Sequence, residues 1–147
     1  MGFQDDPDCI CWKLHLHAPA QRVHQMLSTN EGRARFWAES TIEAGDYIDF
    51  KFPNGQTWRA KILVNQPPRK YVIAYFGGSI TSFELSEDAS GGTDLTLTDV
   101  GVPLVDRAEV IAGWVSVLLA LKATVDFSVD LRNHDPLRSW DDGFVDN

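Results

Sequence analysis

The chain has 147 residues, the length of one ordinary domain. Hydrophobic residues make up 44% and charged residues 23%, which excludes disordered and fibrous classes. A net charge of −8 repels phosphate backbones and anionic membrane surfaces, so no nucleic-acid partner is expected. No uninterrupted apolar run reaches the ~18 residues of a membrane span, so no membrane insertion is expected. The acidic start, Asp5-Asp6-Pro7-Asp8, lacks the basic-then-apolar pattern of a signal peptide. The expected setting is cytoplasmic. Cys9 and Cys11 are the whole cysteine supply. On a strand their side chains would be parallel neighbours roughly 7 Å apart, so reduced thiols are expected.

Residues 9–17 alternate, with Ile10, Trp12, Leu14 and Leu16 on one face. That is a strand with one buried side. A short helix follows over Pro19 to Ser28, with Pro at its first position and Val23, Met26 and Leu27 on one side. Asn30 is placed to cap a second short helix running through Ala34 to Trp37. Strands are then predicted over Ser40–Ala44, Asp46–Phe52, Thr57–Asn65, Tyr71–Phe76, Ile80–Leu85 and Asp94–Val100, separated by Gly, Pro and Asn turn signals. Connections this short imply an antiparallel meander of about seven strands.

Asp106 and Glu109 form an Asp variant of the capping box. Val110, Ile111, Trp114, Val117, Leu118, Leu121 and Val125 then recur at helical spacing. A helix from Arg107 to about Leu131 would span ~37 Å and lie across the whole sheet. The tail, residues 133–147, is acidic, with Trp140 and Phe144 expected to dock on the body. The fold class is α+β, with a single domain over residues 1–147, its core about 9–132.

One strand, two short helices, a six-strand meander and a long last helix is the order of the helix-grip fold. The chain resembles the SRPBCC (START-like) superfamily. Within it, the likeness is to the branch named after the C-terminal domain of the activator of the ninety-kilodalton heat-shock chaperone's ATPase. The residues that carry it are Ala18-Pro19 with Val23, Phe36-Trp37, and Gly113-Trp114 with Leu118 and Leu121-Lys122. The resemblance implies a curved sheet around the last helix and a cavity between them for apolar or amphipathic small molecules. Relatives include lipid carriers, cyclases or hydrolases, and chaperone activators, and fold alone does not choose among them. Eukaryotic activators carry a separate N-terminal domain that engages the chaperone. Eight residues precede the first strand here, which weakens the chaperone reading.

The soft ligands Cys9, Cys11, His15 and His17 share one strand face, but its ends would lie ~27 Å apart, too far for one zinc ion. They read as a solvent-facing row, and no metal or cofactor is implied. No G-x-S-x-G elbow or phosphate loop is present, and the pairs Gly77-Gly78 and Gly91-Gly92 read as hairpin turns. His24 and His134 have no evident partner. Asp99, on the strand face of Leu95 and Leu97, and Glu39, at the helix–sheet junction, are the candidates for a carboxyl of raised pKa on a cavity wall. The aromatic set says more. Trp37, Phe50, Trp58, Tyr75, Phe83 and Trp114, with Leu118, are the candidate ligand-binding residues, either filling a core or lining a pocket. The first expectation is a non-enzymatic binder of a hydrophobic, lipid-like small molecule. The alternative is a co-chaperone or stress-related protein-interaction domain whose partner is a heat-shock chaperone, and a cyclase or hydrolase comes third.

Overall fold

A computed structural model describes residues 4–147. Seven strands form one antiparallel sheet in the order β1-β7-β6-β5-β4-β3-β2. They are β1 (Cys9–Leu16), β2 (Ser40–Ala44), β3 (Tyr47–Lys51), β4 (Thr57–Gln66), β5 (Lys70–Ala74), β6 (Ile80–Glu87) and β7 (Thr93–Val100). The helices are α1 (Ala20–Ser28), α2 (Asn30–Ala34) and α3 (Arg107–Phe127). This is the α+β helix-grip arrangement expected from the element order. Alternation fixes which strand face is buried: Ile10 and Leu16 on β1, Leu95, Leu97 and Asp99 on β7, Phe83 and Leu85 on β6. A register shift on β4 between Ile62 and Val64 bends the sheet, as bulges do.

Several local expectations change. Pro19 stands before α1 as its N-cap residue, and α2 stops at Ala34 rather than at Trp37. Asn30 does not cap α2. Thr29 does, its hydroxyl accepting from the Gly32 N–H at 3.0 Å, while Asn30 Oδ1 receives the Arg33 guanidinium at 2.8 Å. Asp106 makes no side-chain cap to α3, and Glu109 instead accepts from the Trp140 indole N–H at 2.9 Å. Finally, α3 ends at Phe127 rather than near Leu131. Ser128 adopts a left-handed conformation (φ 55°), and the N–H groups of Ser128 and Val129 bond to the Thr124 and Ala123 carbonyls. Just beyond, Arg132 donates to the Ala34 and Ala38 carbonyls, both at 2.8 Å. The chain leaves the helix to cap the end of α2.

Arg33 is fully buried, a position the sequence does not announce. Its guanidinium donates to Thr41 Oγ1, the Leu27 carbonyl, Asn30 and Glu43. With Glu43 it forms an ion pair at 3.1 Å, so α2 is locked to the β2 edge. Gly32 permits this packing, because a Cβ there would lie 2.5 Å from the Met26 carbonyl oxygen.

α3 is 21 residues long with a mean hydropathy of 1.7 over its most apolar window. By length and composition it could cross a membrane, which the absence of an uninterrupted apolar run did not reveal. One side packs on the sheet through Trp114, Leu118, Leu121 and Thr124; Val115 and Leu119 face outward. Its far end is held by Asp126, whose carboxylate accepts the His17 and Ala18 N–H groups at 2.9 and 3.1 Å. Of the tail aromatics, Trp140 docks on Glu109, while Phe144 stays 38% exposed.

His134, expected to have no partner, stands between two carboxylates: Nδ1 is 2.6 Å from Glu39 and Nε2 2.7 Å from Asp130. Both contacts favour the doubly protonated ring. The hydrogen bonds to Asp130 and then Glu39 raise its pKa. Desolvation pushes the Asp130 carboxyl up, but Arg132 and His134 hold it well below the usual range. A raised His pKa contributes stability that is fully present below ~6.5 and is lost as pH rises through the folded-state value. Unfolding followed from about pH 6.5 upward should therefore show falling stability, with a flatter slope for His134→Gln. Equal slopes for the two proteins would show that the triad does not titrate with folding.

Candidate functional site

The sheet and α3 do not close completely. At one end they leave a cavity of about 640 Å³, within the range of small-molecule sites. Five segments frame it: the β3–β4 turn, the Tyr75–Ser79 connection between β5 and β6, the β7–α3 connection at Val102, Pro103 and Asp106, the first half of α3, and the tail at Trp140, Asp141 and Asn147. Buried Trp37, just after α2, closes the inner wall.

The wall is aromatic because these segments converge. Ring centroids of Phe50, Tyr75, Phe83 and Trp114 lie 5.0, 5.7, 5.6 and 5.8 Å from that of Trp37. The Trp37 indole N–H donates to the Tyr75 hydroxyl at 3.1 Å. Burial pushes the Tyr75 phenol far above its ordinary pKa, against the lowering effect of that bond. Tyr75 therefore stays neutral. Trp58, half-buried, also borders the cavity, 4.8 Å from the ring of Phe76. Its indole N–H is buried and has no hydrogen-bond partner among the described residues.

Asp99 is 1% exposed and lines the cavity. Strand register sets Thr81 of β6 opposite it, and the Thr81 hydroxyl donates to Oδ1 at 2.9 Å. Across the gap the Trp114 indole N–H of α3 donates to Oδ2, also at 2.9 Å. The fully buried Ser79 hydroxyl lies beside the same carboxylate without a hydrogen bond of regular geometry. Burial pushes the Asp99 carboxyl above its usual pKa, and the influence of Trp114, Ser79 and Thr81 only partly opposes it. Such a group can hold or accept a proton in a place from which water is largely excluded.

Of the seven candidate ligand residues, Trp37, Trp58, Tyr75 and Trp114 border the cavity. Phe50, Phe83 and Leu118 lie behind them in the core, at 1%, 1% and 4% exposure. The two carboxylate candidates separate: Asp99 is at the cavity, while Glu39 is at the surface with His134. His24 also has a partner, Asn65 at 2.9 Å, and burial lowers its pKa. It lies outside the cavity and ties α1 to β4. His15 pairs with Asp94 at 2.9 Å, and no group of three or more metal-ligating side chains occurs among the described residues. The sequence reading used Gly113 only as a mark of the family resemblance and missed its place at the cavity. It faces the cavity, and a Cβ added there would meet nothing within 4 Å. A glycine interrupting an otherwise strong helical pattern was the available signal.

Comparison with known proteins places these features in a family. Residues 17–126 match the family described as "Activator of Hsp90 ATPase homolog 1-like protein". Among solved structures, the Aha1 dimer from Colwellia psychrerythraea is 23% identical, with a TM-score of 0.73 over 81% of this chain and 96% of that one. A protein from Staphylococcus saprophyticus is 21% identical, with a TM-score of 0.73 over 84% of this chain and 96% of its own. One from Chromobacterium violaceum is 22% identical, with a TM-score of 0.64 over 82% and 98%. Among curated proteins none matches the chain. At these identities the structural likeness shows the fold, and the family match spans most of the chain. The protein belongs to the Activator of Hsp90 ATPase homolog 1-like family, within the SRPBCC superfamily.

Proposed function

We propose that the protein binds a small, largely apolar molecule in the cavity between the sheet and α3. The observation that carries this reading is Gly113. A glycine in the interior of a 21-residue helix costs ~0.5–1 kcal/mol relative to alanine, and no neighbouring atom here requires it. Keeping the helix surface bare at that point preserves the cavity volume instead. The unpaired Trp58 N–H and the buried Asp99 carboxyl supply the few polar groups that orient a ligand in an apolar site.

Substitution at Gly113 separates binding from packing. Gly113→Ala should raise stability by ~0.5–1 kcal/mol and still admit a hydrophobic fluorescent probe. Gly113→Leu should fold equally well and lose probe uptake, because its side chain occupies the empty volume. Unchanged uptake in Gly113→Leu would rule the cavity out as the binding place.

A second reading is favoured by the family and by the outer face of α3. There Val115 and Leu119 are 36% and 50% exposed, and Phe127, at the helix end, is 65% exposed. That face would serve a protein partner, a heat-shock chaperone, as the family description indicates. Saturating protein should then raise the chaperone's ATP hydrolysis, and Leu119→Glu should abolish the effect. No stimulation would end this reading and leave the cavity reading untouched.

A further inference from the structure

We propose that the ligand of the cavity is an organic cation: an aromatic or alicyclic body that carries a protonated or quaternary amine. This rests on the cavity being the ligand site. What points to it is the sign of the charge around that space. Elsewhere some carboxylates meet cations, as in Arg33–Glu43, Arg59–Asp49, Lys70–Glu84 and Arg132–Asp130, and exposed ones such as Asp46 and Glu87 face water; Asp99 is buried and has neither. Four carboxylates line the cavity: Asp99 inside, and Asp106, Glu109 and Asp141 among its exposed lining residues. Among the described residues no lysine, arginine or histidine lines it. No ion pair among those residues reaches any of the four. Such a space repels an anion and lacks a cation of its own.

The Asp99 bonds leave room for one. Thr81 and Trp114 each donate to one of its oxygens and the Ser79 hydroxyl lies beside it, whereas a carboxylate offers about four acceptor sites. A buried carboxylate with no counter-ion is costly, and a cation brought by the ligand offsets that cost. Ser79 belongs to the same cluster: it is fully buried, borders the cavity and lies beside the Asp99 carboxylate, and a hydroxyl turned toward that carboxylate keeps its oxygen lone pairs for an ammonium N–H. The surrounding rings of Trp37, Tyr75 and Trp114 add their quadrupoles, which attract cations.

Three probes of nearly one shape test this on the intact protein by titration calorimetry. They are (2-naphthylmethyl)trimethylammonium, its neutral carbon isostere 2-neopentylnaphthalene, and 2-naphthylmethanesulfonate. The cation should bind at least ~tenfold tighter than the neutral isostere, as expected of contacts to a charged group, and the sulfonate should bind weakest. Asp99→Asn should remove the preference, so that the cation and its neutral isostere bind that variant alike. Should that variant fail to fold, the wild-type ranking of the three probes still decides. Equal binding of cation and neutral isostere would overturn the charge assignment while leaving the cavity as the site. If Gly113→Leu also fails to weaken any probe, the cavity reading itself falls. A cation preference that survives in folded Asp99→Asn would equally overturn the assignment, since it would place the attraction at the surface.

Discussion

The carboxylate of Asp99 joins three elements at one point. β7 supplies it, Thr81 of β6 bonds one oxygen, and Trp114 of α3 bonds the other. A charge this deeply buried disfavours its own ionisation, and two neutral donors do not remove the penalty. Packing alone would favour an apolar residue at this position, as at Leu95 and Leu97 on the same face. What the carboxylate adds is direction. It fixes the height and rotation of α3 above the sheet at Trp114, while Asp126 fixes the other end through the backbone of His17 and Ala18.

With α3 held at those two points, the shape of the space beneath it follows. Toward Leu118 and Leu121 the gap is filled by core side chains. Toward its N-terminal half, Gly113 withdraws from the space, and the walls are rings contributed by segments far apart in sequence. Trp37 connects the two regions, touching Phe50 and Phe83 of the core as well as Tyr75 and Trp114 of the cavity. The same aromatic set therefore fills one part of the interior and lines another. The tail completes the rim: Trp140 donates to Glu109, and Asn54 of the β3–β4 turn donates to Asp141.

The strands were legible because a half-buried sheet imposes period two, and β1 and β7 display it without interruption. The start of α3 and the aromatic interior were legible for similar reasons of spacing. What local pattern cannot carry is pairing across long separations. Arg33 looks like a solvated helix residue until β2 brings Thr41 and Glu43 beside it. His24 looked isolated because Asn65 is 41 residues away, and His134 because Glu39 is 95 residues away and the turn that brings Asp130, four residues back, onto its other nitrogen lies where the helix was expected to continue. The helix end was misjudged because an ordinary serine takes the left-handed conformation there, stabilised by bonds from Arg132 to a different helix. Asp99 was placed on the correct strand face, but its indole partner on α3 depends on how the helix docks.

The state of that carboxyl reports on both structure and ligand. Titrating Asp99 by carbon NMR of its side-chain carboxyl, with and without the trimethylammonium probe, reads it at the atom concerned. The expected result is a midpoint above the ordinary aspartate value of ~3.9 in the free protein, moving downward when the cation is bound. A midpoint at the ordinary value, unmoved by the probe, would contradict both the burial of Asp99 and its role as the cation's partner.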